Sequence, residues 1–309
     1  IIVSFNHCCF SNVHKIKTIV ENGHGKDMIF DLQQLIHSYK EELKTHLYRR
    51  IEVSQGFYDF YENRIKGDNK NLLEIKQTFT HPHNYHPIIA GSSIKGAIRT
   101  AILNFYANSA QYAHEILPEN LLHYEHDVTK DIFQLLRISD TTTPSINQTI
   151  NTRIAFSVNK KRNDMKGVIR LSVPLEFINE KTQFSCDMRL LQNHAEFPAP
   201  TDFPKDIATI AKLCNEYYLP KLQEELEELE THFKSSYVSD TRTLLQNKKT
   251  DMEAGIAFIL RIGRYSTAHD KTFDKWRAIK TKKEQAATQS STLWLLADDP
   301  KQRKDFLPF

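Results

Sequence analysis

Glycine is scarce in this chain, nine residues among 309, which agrees with long helical stretches. Cysteine is scarcer still. Cys8, Cys9, Cys186 and Cys214 form no CxxC pair and have no histidines at zinc-finger spacing, so reduced structural thiols are expected. Neither a metal nor a cofactor is expected. No apolar run approaches the roughly 20 residues that cross a bilayer and no stretch resembles a signal peptide, so a cytoplasmic protein without a membrane partner is expected. A large excess of one charge is missing too: 41 basic and 38 acidic residues leave a net charge of +3, too little to signal nucleic-acid binding by its total. The chain also lacks a P-loop, because Lys95 precedes Gly96 instead of following it, which excludes the phosphate cradle of a nucleotide triphosphatase. What is present is 40% hydrophobic and 26% charged. That balance describes a globular chain with a sizeable core, long enough for two packed subdomains.

The most informative stretch runs from Pro87 to Phe105, PIIAGSSIKGAIRTAILNF. Ile94, Ala97, Ile98, Ala101, Ile102 and Phe105 recur at helical spacing, so a helix is expected to begin after Gly91, with Ser92 or Ser93 as its cap. Lys95 and Arg99 are four residues apart on its exposed side and repel mildly, by roughly 0.2–0.5 kcal/mol in an isolated helix. An anion would relieve that repulsion, and the free N–H groups of a first helical turn favour one, so these residues are a candidate phosphate site. An ordinary capped helix with solvated basic residues fits the same string. Gly96 favours a ligand, since glycine inside a helix costs about 1 kcal/mol and marks close approach of another group.

Taken in order, residues 1–10 are expected to hold a strand, Asp31 to Tyr48 a helix, and 59–66 and 70–77 peripheral helices. His81, His83 and His86 lie in THPHNYHP, where Pro82 and Pro87 break any helix. They read either as a polar loop or as a metal or acid–base group, and no carboxylate or cysteine partner is near in sequence. Residues 131–143, DIFQLLRISDTTT, read as a strand ending in a turn, with Asp140 either capping the turn or acting in catalysis. Residues 151–172 carry Arg153, Lys160, Lys161, Arg162, Lys166 and Arg170 against Asp164 and read as a hairpin with a basic tip. FPAPTDFP at 197–204 is the clearest linker. Asp206 to Phe233 shows the best helical period, with a kink or break expected at Pro220 and an acidic face suited to solvent or to a basic neighbouring subunit. Finally, 256–262 reads as a strand. The loop that follows mixes Arg264, Lys271, Lys275 and Arg277 with Tyr265, Phe273 and Trp276, the combination that single-stranded RNA favours.

Three of these strings carry a family resemblance. Gly91 to Arg99, GSSIKGAIR, resembles the G-S-S-[IL]-K-G-[AV]-[IL]-R motif of the RAMP proteins of type III CRISPR effector complexes. Leu136 to Thr141, LRISDT, is similar to the L-R-[IV]-S-D-[ST] string of the subunit that caps the guide RNA in the type III-A (Csm) complex, the Csm subunit five family. LRIGRYSTAHDKT at 260–272 resembles that family's later loop, although it carries only Gly263 where the wider superfamily has a glycine-rich run.

The resemblance implies an α+β fold of RRM-like (ferredoxin-like) RAMP units with helical insertions. It divides into residues 1–196, an RRM-like domain, and 205–309, a second RAMP-like region, joined by 197–204. The implied role is non-catalytic: binding and capping the 3′ part of the CRISPR RNA (crRNA), with contacts to target RNA, the RAMP backbone subunit and the small helical subunit. The expected RNA-binding residues are Gly91, Ser92, Ser93, Lys95 and Arg99; Arg153, Lys160, Lys161 and Arg162; and Arg261, Arg264, Tyr265, His269 and Lys271. The rival readings are a RAMP endoribonuclease using His81, His83, His86 or Asp140, and another RAMP backbone subunit.

Overall fold

A computed structural model of the chain describes residues 2–3, 13–23, 25–39, 41, 50–66, 75–109, 117–124, 127–143, 152–162, 171–192, 197, 202–232, 236–274, 279–280, 286–287, 292–299, 301 and 307–308. In chain order these form β1 (Ile2–Val3), α1 (Val13–Asn22), α2 (Gly25–Ser38), β2 (Arg50–Val53), α3 (Gln55–Lys66), α4 (Gly91–Asn108), β3 (Leu136–Ile138), β4 (Thr152–Lys161), β5 (Leu171–Ile178), β6 (Met188–Leu190), α5 (Ile207–His232), α6 (Ser236–Glu253), β7 (Ile279–Lys280), β8 (Ala286–Ala287), β9 (Thr292–Ala297) and β10 (Leu307–Pro308). The α+β class expected from the sequence holds.

Strand β4 is the centre of the main sheet. It pairs in parallel with β2 and antiparallel with β5 and β9, while β1 and β10 extend the sheet beyond β2 and β9. The period of two along β4 points Ile154, Phe156 and Val158 to one face, where they pack with Leu293 and Leu295 of β9, Phe57 of α3 and Leu226 and Leu229 of α5. A second core joins α4 to the first half of α5 through Ala97, Ile98, Ile102, Ile210, Leu213 and Tyr217. Full burial of each large apolar side chain here is worth about 1.5–3 kcal/mol. The Tyr218 hydroxyl adds a bond to the Ala97 carbonyl at 3.1 Å.

Helix α5 therefore serves both cores and runs through Pro220 without the expected break. The main sheet pairs β4 with β9, from either side of residues 197–204 in sequence, and Phe203 is 5% exposed, its ring edge-on to Phe133 at 5.8 Å.

Two expected elements differ. Residues 257–262 form no strand, because the Asn215 side chain of α5 takes the place of a neighbouring strand, donating to the Ala257 carbonyl (2.9 Å) and accepting from the Ile259 N–H (3.0 Å). Residues 75–77 are extended instead of helical, since Lys76 bonds along the edge of β5 through Pro174 and Glu176. Of the strand expected over 1–10 only Ile2–Val3 is seen; residues 4–10, the hairpin tip at 163–170 and the end of the helix expected over 31–48 lie outside the described residues. Helix α2 starts at Gly25, ahead of its expected position. No helix among the described residues is long and apolar enough to cross a membrane.

Candidate nucleic-acid interface

Two of the three family-like strings meet at the start of α4. A side chain at Gly91 would stand 2.4 Å from the Ile138 carbonyl oxygen and 2.6 Å from that of Ser139, so only glycine lets the helix begin against the end of β3. The turn that follows β3 clamps this junction. Asp140 Oδ1 accepts from the Gly91 N–H (2.8 Å), the Thr141 hydroxyl oxygen accepts from the Ile89 N–H (2.8 Å), and the Thr141 N–H donates to the Ile89 carbonyl (3.0 Å). The expected Ser92 or Ser93 cap is not formed; the cap comes from Asp140, and both serines lie exposed in the first turn. An intrachain carboxylate thus already meets the positive end of the helix.

The anion expected near Lys95 and Arg99 is also partly internal. Arg99 pairs with Asp131 at 2.5 Å, and its guanidinium lies over the Phe133 ring at 4.8 Å. Asp131 is held in place because it also accepts from the Phe133 N–H at 3.0 Å. Lys95 has no such ion pair among the described residues. Partial burial and the nearby Arg137 guanidinium push its ammonium below the ordinary lysine range. Gly96 is exposed, and a side chain there would meet nothing within 4 Å among the described residues, none of which accounts for the glycine.

Arg137 was not among the expected site residues, and neither was Arg189. Strands β3 and β6 pair antiparallel with Leu136 opposite Leu190, Arg137 opposite Arg189 and Ile138 opposite Met188. The apolar pairs face the core while the two arginines share the exposed face, their Cβ atoms about 5 Å apart. Like charges directly opposite destabilise a ribbon, and neither arginine has a carboxylate partner among the described residues. Lys95, Arg137 and Arg189 thus form a cationic row beside exposed Ser92, Ser93 and Gly96. The signal was present in the apolar–Arg–apolar alternation at 136–138 and 188–190, which becomes a site only once the strands pair.

The other expected residues are dispersed. Lys160 is 1% exposed, because its place in β4 turns it to the covered face of the sheet, and this corrects its expected RNA contact. Lys161 is half-buried at the end of β4. Arg153 lies over the Phe177 ring at 4.8 Å and 3.5 Å from Asp298. Arg162 pairs with Glu228, and Arg261 pairs with Glu225 and, at 3.4 Å, with Asp270, so these two tie α5 and the 268–271 segment to the body of the protein. Burial alone would lower Arg261, but Glu225 and Asp270 beside it hold it above the ordinary arginine range.

Tyr265 packs on Trp294 of β9 at 5.0 Å between ring centres. His269 is half-buried and its carbonyl accepts from the Tyr217 hydroxyl at 3.1 Å. Lys271 donates to the Arg264 carbonyl at 3.0 Å, with its ammonium lowered by partial burial, and Arg264 is exposed. Of the histidines, His86 Nδ1 lies 2.8 Å from the Thr143 hydroxyl, and the His81 and His83 rings lie 5.5 Å apart, tilted at 52°. No cluster of histidine, cysteine or carboxylate side chains suited to a metal occurs among the described residues.

A mixed α+β fold with inserted helices agrees with the ferredoxin-like (RRM-like) units of the RAMP superfamily. The RAMP superfamily model matches residues 74–255, and the chain belongs to that family. Within solved structures it is similar to Csm5 of T. onnurineus, at a TM-score of 0.51 and 13% identity over 84% of this chain and 80% of that one. It is also similar to a chain of the Csm–crRNA–target RNA ternary complex of a type III-A CRISPR–Cas system, at a TM-score of 0.50 and 15% identity over 76% of each. At these identities the likeness is one of fold. No curated protein sequence matches the chain.

Proposed function

We propose that this chain is a guide-RNA-binding subunit of the Csm subunit five type in a type III-A effector complex, holding the 3′ part of the crRNA by its backbone. The observation that carries this reading is the cationic row of Lys95, Arg137 and Arg189. Three positive side chains stand together without a carboxylate partner among the described residues, two of them directly opposite, an arrangement that a phosphodiester chain stabilises. The RAMP family membership and the shared fold support the type III setting. Arg153, Lys161, Arg264 and Lys271 remain candidate contacts further along the RNA; Ser92 and Ser93 supply hydroxyl donors beside the row.

In this reading the subunit is non-catalytic and cytoplasmic, and its protein partners are the RAMP backbone subunit and the small helical subunit. Asp140 serves the Gly91 N–H and His86 meets Thr143, uses that favour structural roles for both. Binding of single-stranded guide RNA by wild type and by a Lys95→Ala/Arg137→Ala/Arg189→Ala variant, titrated against salt, tests the proposal. Each lost phosphate contact lowers the slope of log affinity against log salt by about 0.7 for a single strand, so the variant should lose about two units of slope. An unchanged affinity and slope overturns the assignment.

A further inference from the structure

We infer that the hairpin 79–88 carries a stacking platform for one unpaired base of the bound RNA, with the Phe79 ring as its surface. The inference rests on the RNA-binding reading above. Phe79 is 62% exposed, more than any other Phe, Tyr or Trp among the described residues. Thr80 pairs antiparallel with Pro87, the Ile88 N–H donates to the Phe79 carbonyl (3.0 Å), and the His81 N–H donates to the His86 carbonyl (2.9 Å). With a period of two, that register sets Phe79, His81, His86 and Ile88 on one face of the hairpin. His83, from the tip, lies against His81.

The platform is held stiffly. Tyr85 adopts φ 56°, a left-handed conformation that a tyrosine keeps only where its surroundings impose it, and its N–H donates to the His81 carbonyl at 2.9 Å. Asn84 accepts from the His86 N–H at 3.1 Å, and the His86 ring reaches Thr143, three residues beyond the aspartate that caps α4. The second strand of the hairpin then runs through Ile89, itself bonded to Thr141, into α4. The ring is thus built into the framework that carries Lys95 and Arg137. Its neighbours on that face are His81, His86 and Ile88, with His83 against His81, so Ile88 is the single apolar residue beside the ring, which suits a base flanked by phosphates better than the apolar centre of a protein–protein contact.

Fluorescence-monitored binding of a labelled single-stranded RNA by wild type, Phe79→Leu, Phe79→Trp and the triple cation variant tests this. Stacking of one base predicts that Phe79→Leu loses about 5- to 100-fold in affinity with an unchanged salt slope, and that Phe79→Trp retains it. An RNA series with single abasic sites should reveal one position where base removal weakens wild type and leaves Phe79→Leu unaffected. Equal affinity of Phe79→Leu and wild type, while the cation variant still loses slope, overturns the platform and leaves the RNA-binding reading standing. No effect in the cation variant overturns that reading instead. Loss of assembly with partner subunits at unchanged RNA affinity assigns Phe79 to a protein contact and overturns the platform. Thermal unfolding of Phe79→Leu, which should match wild type because the ring is exposed, shows that any affinity loss is local.

Discussion

The ion pair between Arg99 and Asp131 separates structure from binding within one helical turn. Arg99→Met keeps most of the apolar stem over Phe133 and removes the guanidinium, so the loss is a charge-assisted hydrogen bond and a cation–π contact. A hydrogen bond to a charged group contributes about 1.5–3 kcal/mol, and the ring contact about 0.5–1 kcal/mol more. Asp131 stays in place on the Phe133 N–H, now without its cation. A destabilisation of about 2–4 kcal/mol follows, which for a chain of 309 residues lowers Tm by roughly 3–6 °C. Lys95→Met should do the opposite. It removes a cation that Arg99 and Arg137 repel, so Tm holds or rises slightly while RNA affinity and its salt slope fall. Differential scanning fluorimetry and salt-titrated RNA binding on the two variants read both quantities. Were Arg99→Met to leave Tm unmoved and to lower the salt slope as Lys95→Met does, the assignment of Arg99 to the interior would be wrong.

The two glycines of the central motif should respond in opposite ways. Gly91→Ala drives a methyl into the Ile138 and Ser139 carbonyls and should cost about 1–3 kcal/mol in chemical denaturation, whereas Gly96→Ala meets open space and should stabilise the helix by about 1 kcal/mol. If RNA approaches α4 at Gly96, that second variant also binds RNA more weakly; binding as tight as wild type would place the RNA elsewhere on the helix. Asn215→Leu leaves the Ala257 carbonyl and Ile259 N–H without their side-chain partner and should cost about 2–4 kcal/mol, measured by urea unfolding. Burial pushes the Cys214 thiol up to about 12, so its thiolate is scarce at neutral and mildly alkaline pH. Mass spectrometry after iodoacetamide treatment should therefore find exposed Cys186 modified in the folded protein and Cys214 modified only on unfolding.

Helix α4 was legible because its signal is local: an apolar face recurring every three to four residues survives any tertiary arrangement. Its cap was not, since the aspartate that supplies it is 49 positions away, on a turn whose own Ser-Asp-Thr string explains only half of what it does. The same distinction sorts the cations. Counting positive charge along the chain brought out 153–162 and 261–271, yet Arg162 and Arg261 are neutralised by Glu228 and Glu225, which α5 presents from the acidic stretch expected to face solvent or another subunit. Lys160 was expected in the basic end of a hairpin over 151–172, but β4 runs on to Lys161 and carries Lys160 on the face of Ile154, Phe156 and Val158. Arg137 and Arg189 stand isolated in sequence between apolar neighbours, and no carboxylate pairs with either among the described residues. A run of basic residues invites carboxylates to fold against it, while a single arginine on the wet face of a short ribbon is aligned by the strand pairing alone. For this chain, the candidate RNA surface is therefore marked by cations that the fold brings together without a counter-charge among the described residues, and the density of basic residues along the sequence is a poor guide to it.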